Sequence, residues 1–185
     1  MLKVANITSR YRARLIASAY KKWLKKGDKV LDAGCGTGVV AKELENLLDL
    51  RIYGCDIENY LVVKIPFKKM PSDFLLPKYG YKFNAVMFND TLHHTQFSNQ
   101  ENLIMQVLKI SDNVLLFELK PTIVNRIFDY LINKIHYKNL DIPFTYRSEK
   151  QWEKLFKKMG LTFKKKILQR PLLYPFSHIA YKISK

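Results

Sequence analysis

Apolar positions recur along the chain in two rhythms, and the switch between them predicts the elements. Residues 10 to 25 (RYRARLIASAYKKWLK) place Tyr11, Leu15, Ala19 and Trp23 four apart, which predicts a basic helix over about residues 8–26, stopped by Gly27-Asp28. KVLDAG from Lys29 is a short buried strand. VVAKELENLLDL from Val39 predicts an amphipathic helix with Val40, Leu44, Leu47 and Leu48 inward, and RIYGCD at 51–56 a second strand that ends in an acid. Strand, loop, helix, strand is the unit from which parallel sheets are built.

The pattern then thins. ENYLVVKIPFKKMPSDFLLPKYG carries three prolines and supports at most one short strand, around Tyr60–Ile65. The alternation resumes with a buried strand FNAVMF (83–88), a helix NQENLIMQVLKI and a buried strand NVLLFEL (113–119). Pro121 can open a helix carrying TIVNRIFDYLINKIHY. Ser148 with Gln151 makes a capping-box start for EKQWEKLFKKMG, closed by Gly160. LTFKKKILQ and SHIAYKIS are two further strand candidates, suited to an antiparallel edge. No internal repeat or interdomain linker is visible, so the whole of 1–185 reads as one domain, with a core over about 28–119 and substrate-side elements over about 120–185.

Composition narrows the class. The 185 residues are 48% hydrophobic, ample for one sizeable core, and no apolar run approaches the ~20 residues that span a bilayer. The N-terminus lacks the h-region of a signal peptide, so a cytoplasmic protein is expected. Cys35 and Cys55 are too few for a disulfide framework and have no metal-ligand spacing; reduced, packed thiols are expected and no metal is assigned. The net charge of +16 is uneven: from Lys120 onward there are 15 basic and 4 acidic residues. Such a field suits RNA or an anionic membrane surface as partner, or is simply a lysine-rich solvated exterior.

VLDAGCGTGVV at 30–40 carries the chemistry. A glycine loop between a strand and a helix lets a ligand approach the backbone and meet the unpaired N–H groups that open the helix. The dinucleotide fingerprint is G-x-G-x-x-G, whereas Gly34, Gly36 and Gly38 follow G-x-G-x-G after an acid, Asp32. A carboxylate there is awkward for pyrophosphate but suits an ammonium group. Asp56, closing the second strand, can accept hydrogen bonds from both hydroxyls of a ribose. An amino acid, a ribose and no phosphate describe S-adenosylmethionine (SAM).

VLDAGCGTG with the acid of GCD resembles the class I SAM-dependent methyltransferases. FNDTLHHT resembles the loop after the fourth strand in their small-molecule branch, and SDFLLP matches the place where the fold presents an acid, Asp73, beside adenine. The resemblance implies a Rossmann-like, doubly wound α/β sheet of seven strands in the order 3-2-1-4-5-7-6, with the seventh antiparallel. It also implies a cofactor site of Asp32, Gly34, Cys35, Gly36, Gly38, Asp56, Asp73 and Asn89. Asp73 lies only 17 positions beyond Asp56, less than the usual helix and third strand occupy.

For the acceptor, Asn89-Asp90 is not the Asn-Pro-Pro-aromatic motif of enzymes that methylate exocyclic amines. His93 and His94 follow as a general base, a helix cap or a lining of the methionine end. Asp129, Asn133 and His136 lie at i, i+4 and i+7, one face of an otherwise apolar helix. DYLINKIHYKNLDIPFTYRSEKQW also resembles quinone and lipid methyltransferase relatives, which implies that these residues, with Tyr146 and Arg147, close over the pocket. The alternative is that the polar face is the solvated one. His136, His94 and Asp129 are the catalytic candidates, and His93, Asn133, Tyr146 and Arg147 the substrate-binding ones. The expectation is methyl transfer to a small or lipid-like acceptor, at oxygen or carbon. The alternatives are an RNA methyltransferase and a catalytically silent SAM-fold partner protein.

Overall fold

A computed structural model describes residues 2–136, 143–168, 174 and 176–185, with side chains from residue 8 onward except those of 132, 133, 135 and 136. Helix α1 (Leu2–Tyr20) leads into β1 (Lys29–Ala33), α2 (Val39–Leu48) and β2 (Arg51–Asp56). β3 (Phe67–Lys69), β4 (Ala85–Asn89), α3 (Phe97–Ile110) and β5 (Asn113–Leu119) follow. The chain continues through α4 (Ile123–His136) and α5 (Glu149–Lys158) to β6 (Thr162–Ile167) and β7 (His178–Ser184). The strands form one sheet ordered β3-β2-β1-β4-β5-β7-β6, parallel except for β7, which runs antiparallel to both β5 and β6. This is the order the resemblance implied.

Successive residues of a strand point to opposite faces, and in β4 and β5 both faces are apolar, as a doubly covered sheet requires. Val86, Phe88, Val114 and Leu116 pack on one side against Leu103, Ile104 and Val107 of α3 and Trp152 and Phe156 of α5. Ala85, Met87, Leu115 and Phe117 pack on the other against α1 and α2. Each fully buried side chain of this kind stabilises the fold by roughly 1.5–3 kcal/mol. The register sets Asp32 of β1 beside Met87 of β4, and Asn89 of β4 beside Phe117 of β5. The carboxyl ends of the central strands are therefore level, and the polar residues that follow them meet.

Four expectations shift. α1 lies further toward the N-terminus than its apolar spacing suggested, and its buried face is Ala13, Ile16, Ala17, Ala19 and Tyr20, so of the expected stripe Ala19 is buried while Tyr11 is exposed. Residues spaced strictly by four turn about 40° further round the axis at each step, so such a row drifts off the packed face. In α2 the inward stripe runs through Val40, Ala41 and Leu44, and Leu47 on its flank is exposed. α3 begins two residues before the predicted start, at Phe97. The third strand is Phe67–Lys69, not Tyr60–Ile65. Leu61, Val63 and Ile65 instead lie over Gly38, and the Val62 N–H donates to the Thr37 carbonyl, so that alternation covers the glycine loop and does not extend the sheet. The predicted capping box at Ser148 and Gln151 is formed on both sides, and Gly160 adopts positive φ beyond the end of α5.

Candidate active site

The glycine loop lies across the carboxyl ends of β1 and β2. Gly34, Gly36 and Gly38 all have positive φ. A Cβ on Gly34 would stand 2.2 Å from the Thr91 methyl group, so this glycine is required both by conformation and by the close approach of the loop after β4. Asp56 turns back onto the loop: Gly36 N–H donates to its Oδ2 and Ile57 N–H to its Oδ1. Cys35 and Cys55 are free, reduced and buried, and burial raises both thiols, Cys55 to about 12.

Asp32 is 2% exposed, and its Oδ1 accepts from Asn89 Nδ2 at 3.0 Å. Asn89 Oδ1 in turn accepts from the buried Tyr20 hydroxyl of α1. Among the described residues no lysine or arginine forms an ion pair with Asp32. Burial pushes its carboxyl up to about 7, with the Asp56 carboxylate adding to the rise. Two carboxylates of which Asp56 raises Asp32, neither ion-paired to a lysine or arginine among the described residues and both beside glycine backbone, fit the ammonium and ribose of SAM, and the ammonium would relieve their repulsion. Asn89 therefore acts through Asp32, holding it in place. Asp73 is exposed in the turn before Leu76, whose N–H donates to Gln106 Oε1.

A second cluster begins one turn further on. A short 3-10 turn, Leu92–His94, follows β4 and buries His93. His93 Nδ1 lies 2.6 Å from Glu118 Oε2, and Glu118 Oε1 accepts from the N–H groups of Thr91 and Leu92. The opposite ring nitrogen, Nε2, faces Asp129 Oδ2 at 3.2 Å, and His94 Nε2 is 3.9 Å from the same oxygen. The Tyr146 hydroxyl donates to that oxygen at 2.6 Å, and the Tyr146 ring stacks on His93 at 5.0 Å. The two carboxylates outweigh burial and hold His93 protonated, raising it to about 10. Burial and the adjacent imidazolium push His94 down to about 3, so it stays neutral, while Asp129 is held ionised by His93.

The structure thus brings together His93, His94, Asp129 and Tyr146. Asn133 and His136 continue the same helix, and their side chains lie outside the described residues. Arg147 lies beside the cluster: its Nε donates to Gln100 Oε1 at 2.6 Å, a second nitrogen reaches the Phe97 carbonyl, and the guanidinium covers the Trp152 ring. Sequence reasoning missed Glu118. Its signal was present, since one acid in the apolar run NVLLFEL can be buried only with a partner. Also missed was the clamp that ties the N-terminal helix to the site. Asp90, at φ 54, sits between Arg12 of α1 and His178 of β7, which hold its carboxyl down at about 2.

Residues 6–165 match the family described as a methyltransferase domain. The chain belongs to that family and is a class I methyltransferase that uses SAM as methyl donor. No curated protein matches it. Among solved structures it is similar to a cyclopropane-fatty-acyl-phospholipid synthase-like protein from Lactobacillus casei (14% identity, 96% of this chain and 90% of that one, TM-score 0.72). It is also similar to magnesium protoporphyrin IX methyltransferase from Synechocystis with bound SAH, at 18% identity over 98% and 84% of the two chains and a TM-score of 0.63. A third likeness is the small RNA methyltransferase HEN1, at 13% identity over 96% of this chain and 25% of that one, TM-score 0.66. At these identities the likeness is one of fold.

SAM supplies an electrophilic methyl on its sulfonium, and the protein's task is to hold donor and acceptor in line. Asp32, steadied by Asn89 and Tyr20, would take the ammonium. Asp56, with the loop of Gly34 to Gly38, would take the ribose and the chain beyond it.

Proposed function

We propose that the enzyme methylates an apolar, lipid-like acceptor, at oxygen or carbon, presented from an anionic membrane surface. The observation that carries this reading is the orientation of α4. Its polar residues Asn125 and Asp129 face inward, at 0% and 8% exposure, while Ile123, Val124, Ile127, Phe128, Tyr130 and Leu131 face outward, Ile123 at 77%. Asn125 is fastened inside to the carbonyls of Lys120 and Ser177, and Asp129 to Tyr146 and His93. A surface helix normally does the reverse, and a contiguous exposed apolar face marks an interaction site. Arg126 on the same helix and the basic last third supply the complementary charge for anionic headgroups.

Asp129 is the ionised carboxylate within reach of a hydroxyl acceptor, with neutral His94 as a hydrogen-bond acceptor beside it and Tyr146 and His93 fixing its direction. Asn133 and His136, one and two turns further along α4, extend the same face by their spacing. Arg147 orders the segment that carries Tyr146. Asp73 is proposed beside the adenine.

The test is co-sedimentation with vesicles containing phosphatidylglycerol, together with transfer of labelled methyl from SAM to lipid extracts. The I127D/F128D double variant is expected to lose vesicle binding and lipid labelling while keeping SAM affinity. Labelling of RNA and not lipid, or vesicle binding unchanged by the double variant, would overturn the lipid reading.

A further inference from the structure

His93, His94 and Asp129 converge through the same three atoms that a divalent metal would use. The nearest ligand atoms, His93 Nε2, His94 Nε2 and an Asp129 oxygen, all lie within 4.8 Å of one another. Two of the separations are 3.2 and 3.9 Å. Ligands held tetrahedrally at about 2.0–2.2 Å from zinc stand roughly 3.2–3.6 Å apart, so the His93–Asp129 edge already fits, the His94–Asp129 edge must close by a few tenths of an ångström, and the two imidazoles, within 4.8 Å of each other, must draw together by up to about 1.2 Å.

Two independent features point to a ligand at this position. His93 is 1% exposed, and both His93 Nε2 and His94 Nε2 are buried with no hydrogen-bond partner among the described residues. The His93 Nε2 proton lies against Asp129 at a short distance but without the direction a good hydrogen bond needs; a bound cation takes the place of that proton, as metal binding to histidine requires, and two imidazole nitrogens then face it together with one carboxylate oxygen. The opposite nitrogen of His93 is bound to Glu118, itself anchored by two backbone N–H groups. A carboxylate on the far nitrogen fixes the ring and directs the near nitrogen, as is usual where histidine binds metal. Asp129 is likewise steadied, through the Tyr146 hydroxyl.

We propose that His93, His94 and Asp129 form a site for one borderline divalent cation of the zinc or cobalt type, with Glu118 and Tyr146 as positioning residues. Two imidazoles and one carboxylate select such ions over magnesium or calcium, which prefer all-oxygen sets. Three protein ligands leave a coordination position for water or for an oxygen of the acceptor, the arrangement of reactive rather than purely structural sites. Adjacent histidines on a 3-10 turn and an aspartate 35 positions later in another helix meet only because α4 turns its polar face inward. The site deepens the acceptor reading above, since it places the cation where that acceptor would be held.

The test is calorimetric titration of the chelator-treated full chain with Zn2+ alone, repeated with Co2+ while following its visible absorption. One ion per chain is expected, with a cobalt spectrum of low symmetry. Asp129→Asn and His94→Ala are each expected to weaken binding by about 100-fold or more, and Glu118→Gln by about 10- to 100-fold. Circular dichroism of the metal-free proteins checks folding. If Asp129→Asn fails to fold, His94→Ala decides, since its ring edge is partly at the surface. Absence of stoichiometric binding by either ion, or binding that His94→Ala leaves within about threefold of the wild type, overturns the site. Vesicle binding and lipid labelling are scored separately. Metal binding without lipid labelling would remove the acceptor reading and leave the site standing, and lipid labelling without metal binding would do the opposite.

Discussion

Replacing Asp32 by asparagine should make the SAM-free protein more stable and the SAM-binding protein useless. In the folded chain burial lifts this carboxyl from 3.8 to about 7. Between those values the folded state holds a proton that the unfolded state has released, so the contribution of Asp32 to stability is greatest below about pH 4, falls as pH rises, and reaches its floor above about pH 7. Three decades at 1.36 kcal/mol each make the loss about 4 kcal/mol. Asparagine keeps an oxygen to accept from Asn89 and carries no charge, although its own buried amide takes back part of the gain. A net stabilisation of about 2–3 kcal/mol at pH 8 is expected, equivalent to roughly 4–12 °C in a chain of this size. SAM at a hundred times its Kd should add about 2.7 kcal/mol to the wild type and nothing to the variant. The assay is urea denaturation of both proteins from pH 4 to 8, with and without SAM; taking the difference between them cancels the other titrating groups. A variant no more stable than the wild type at pH 8, or one that SAM still stabilises, would refute the role of Asp32 as a strained carboxylate kept for the ammonium.

Three further outcomes are expected. Gly34→Ala combines positive φ with a Cβ that overlaps Thr91, and should lower stability by about 2–4 kcal/mol in urea denaturation. Thr91→Ala in that background should recover only the steric part. Glu118→Gln removes the charged partner of a buried imidazolium while leaving an oxygen for the Thr91 and Leu92 N–H groups, and should cost about 3 kcal/mol; a loss under about 0.5 kcal/mol would mean that His93 is not held as a cation. Ser148→Ala opens the capping box of α5 and should cost about 1 kcal/mol, visible as a fall of roughly 2–4 °C in Tm without loss of SAM binding.

Where sequence reasoning succeeded, the determining interactions were local. The glycine loop, β2 and β5 with their stated boundaries, the capping box of Ser148 and the terminal hairpin all follow from residue types within a few positions of one another. It failed where one pattern serves two environments. Leu61, Val63 and Ile65 alternate as a strand does, yet the surface they cover is a loop. Of Tyr11, Leu15, Ala19 and Trp23, which recur as a helix face does, Ala19 is buried and Leu15 and Trp23 pack at the edge of the core, yet Tyr11 is exposed and Ala13, Ile16, Ala17 and Tyr20 complete the packed face.

The sequence by itself pointed to the methyl donor: three glycines at fixed spacing, with an acid before and an acid after, carried the resemblance to the family because they lie close together along the chain. The acceptor side was different. Asp129 on a helix of mixed character is compatible with solvent or with a pocket, and its spacing to Asn133 and His136 holds in either case. Only the tertiary structure turned that face inward, by fastening Asn125 beneath the helix and setting Asp129 against two histidines 35 and 36 positions away in sequence. Glu118 joins them because the level ends of β4 and β5 bring together side chains that no local pattern connects. Burial is a property of the assembled sheet: it keeps His94 neutral, while the carboxylates buried with His93 outweigh it and hold that ring charged.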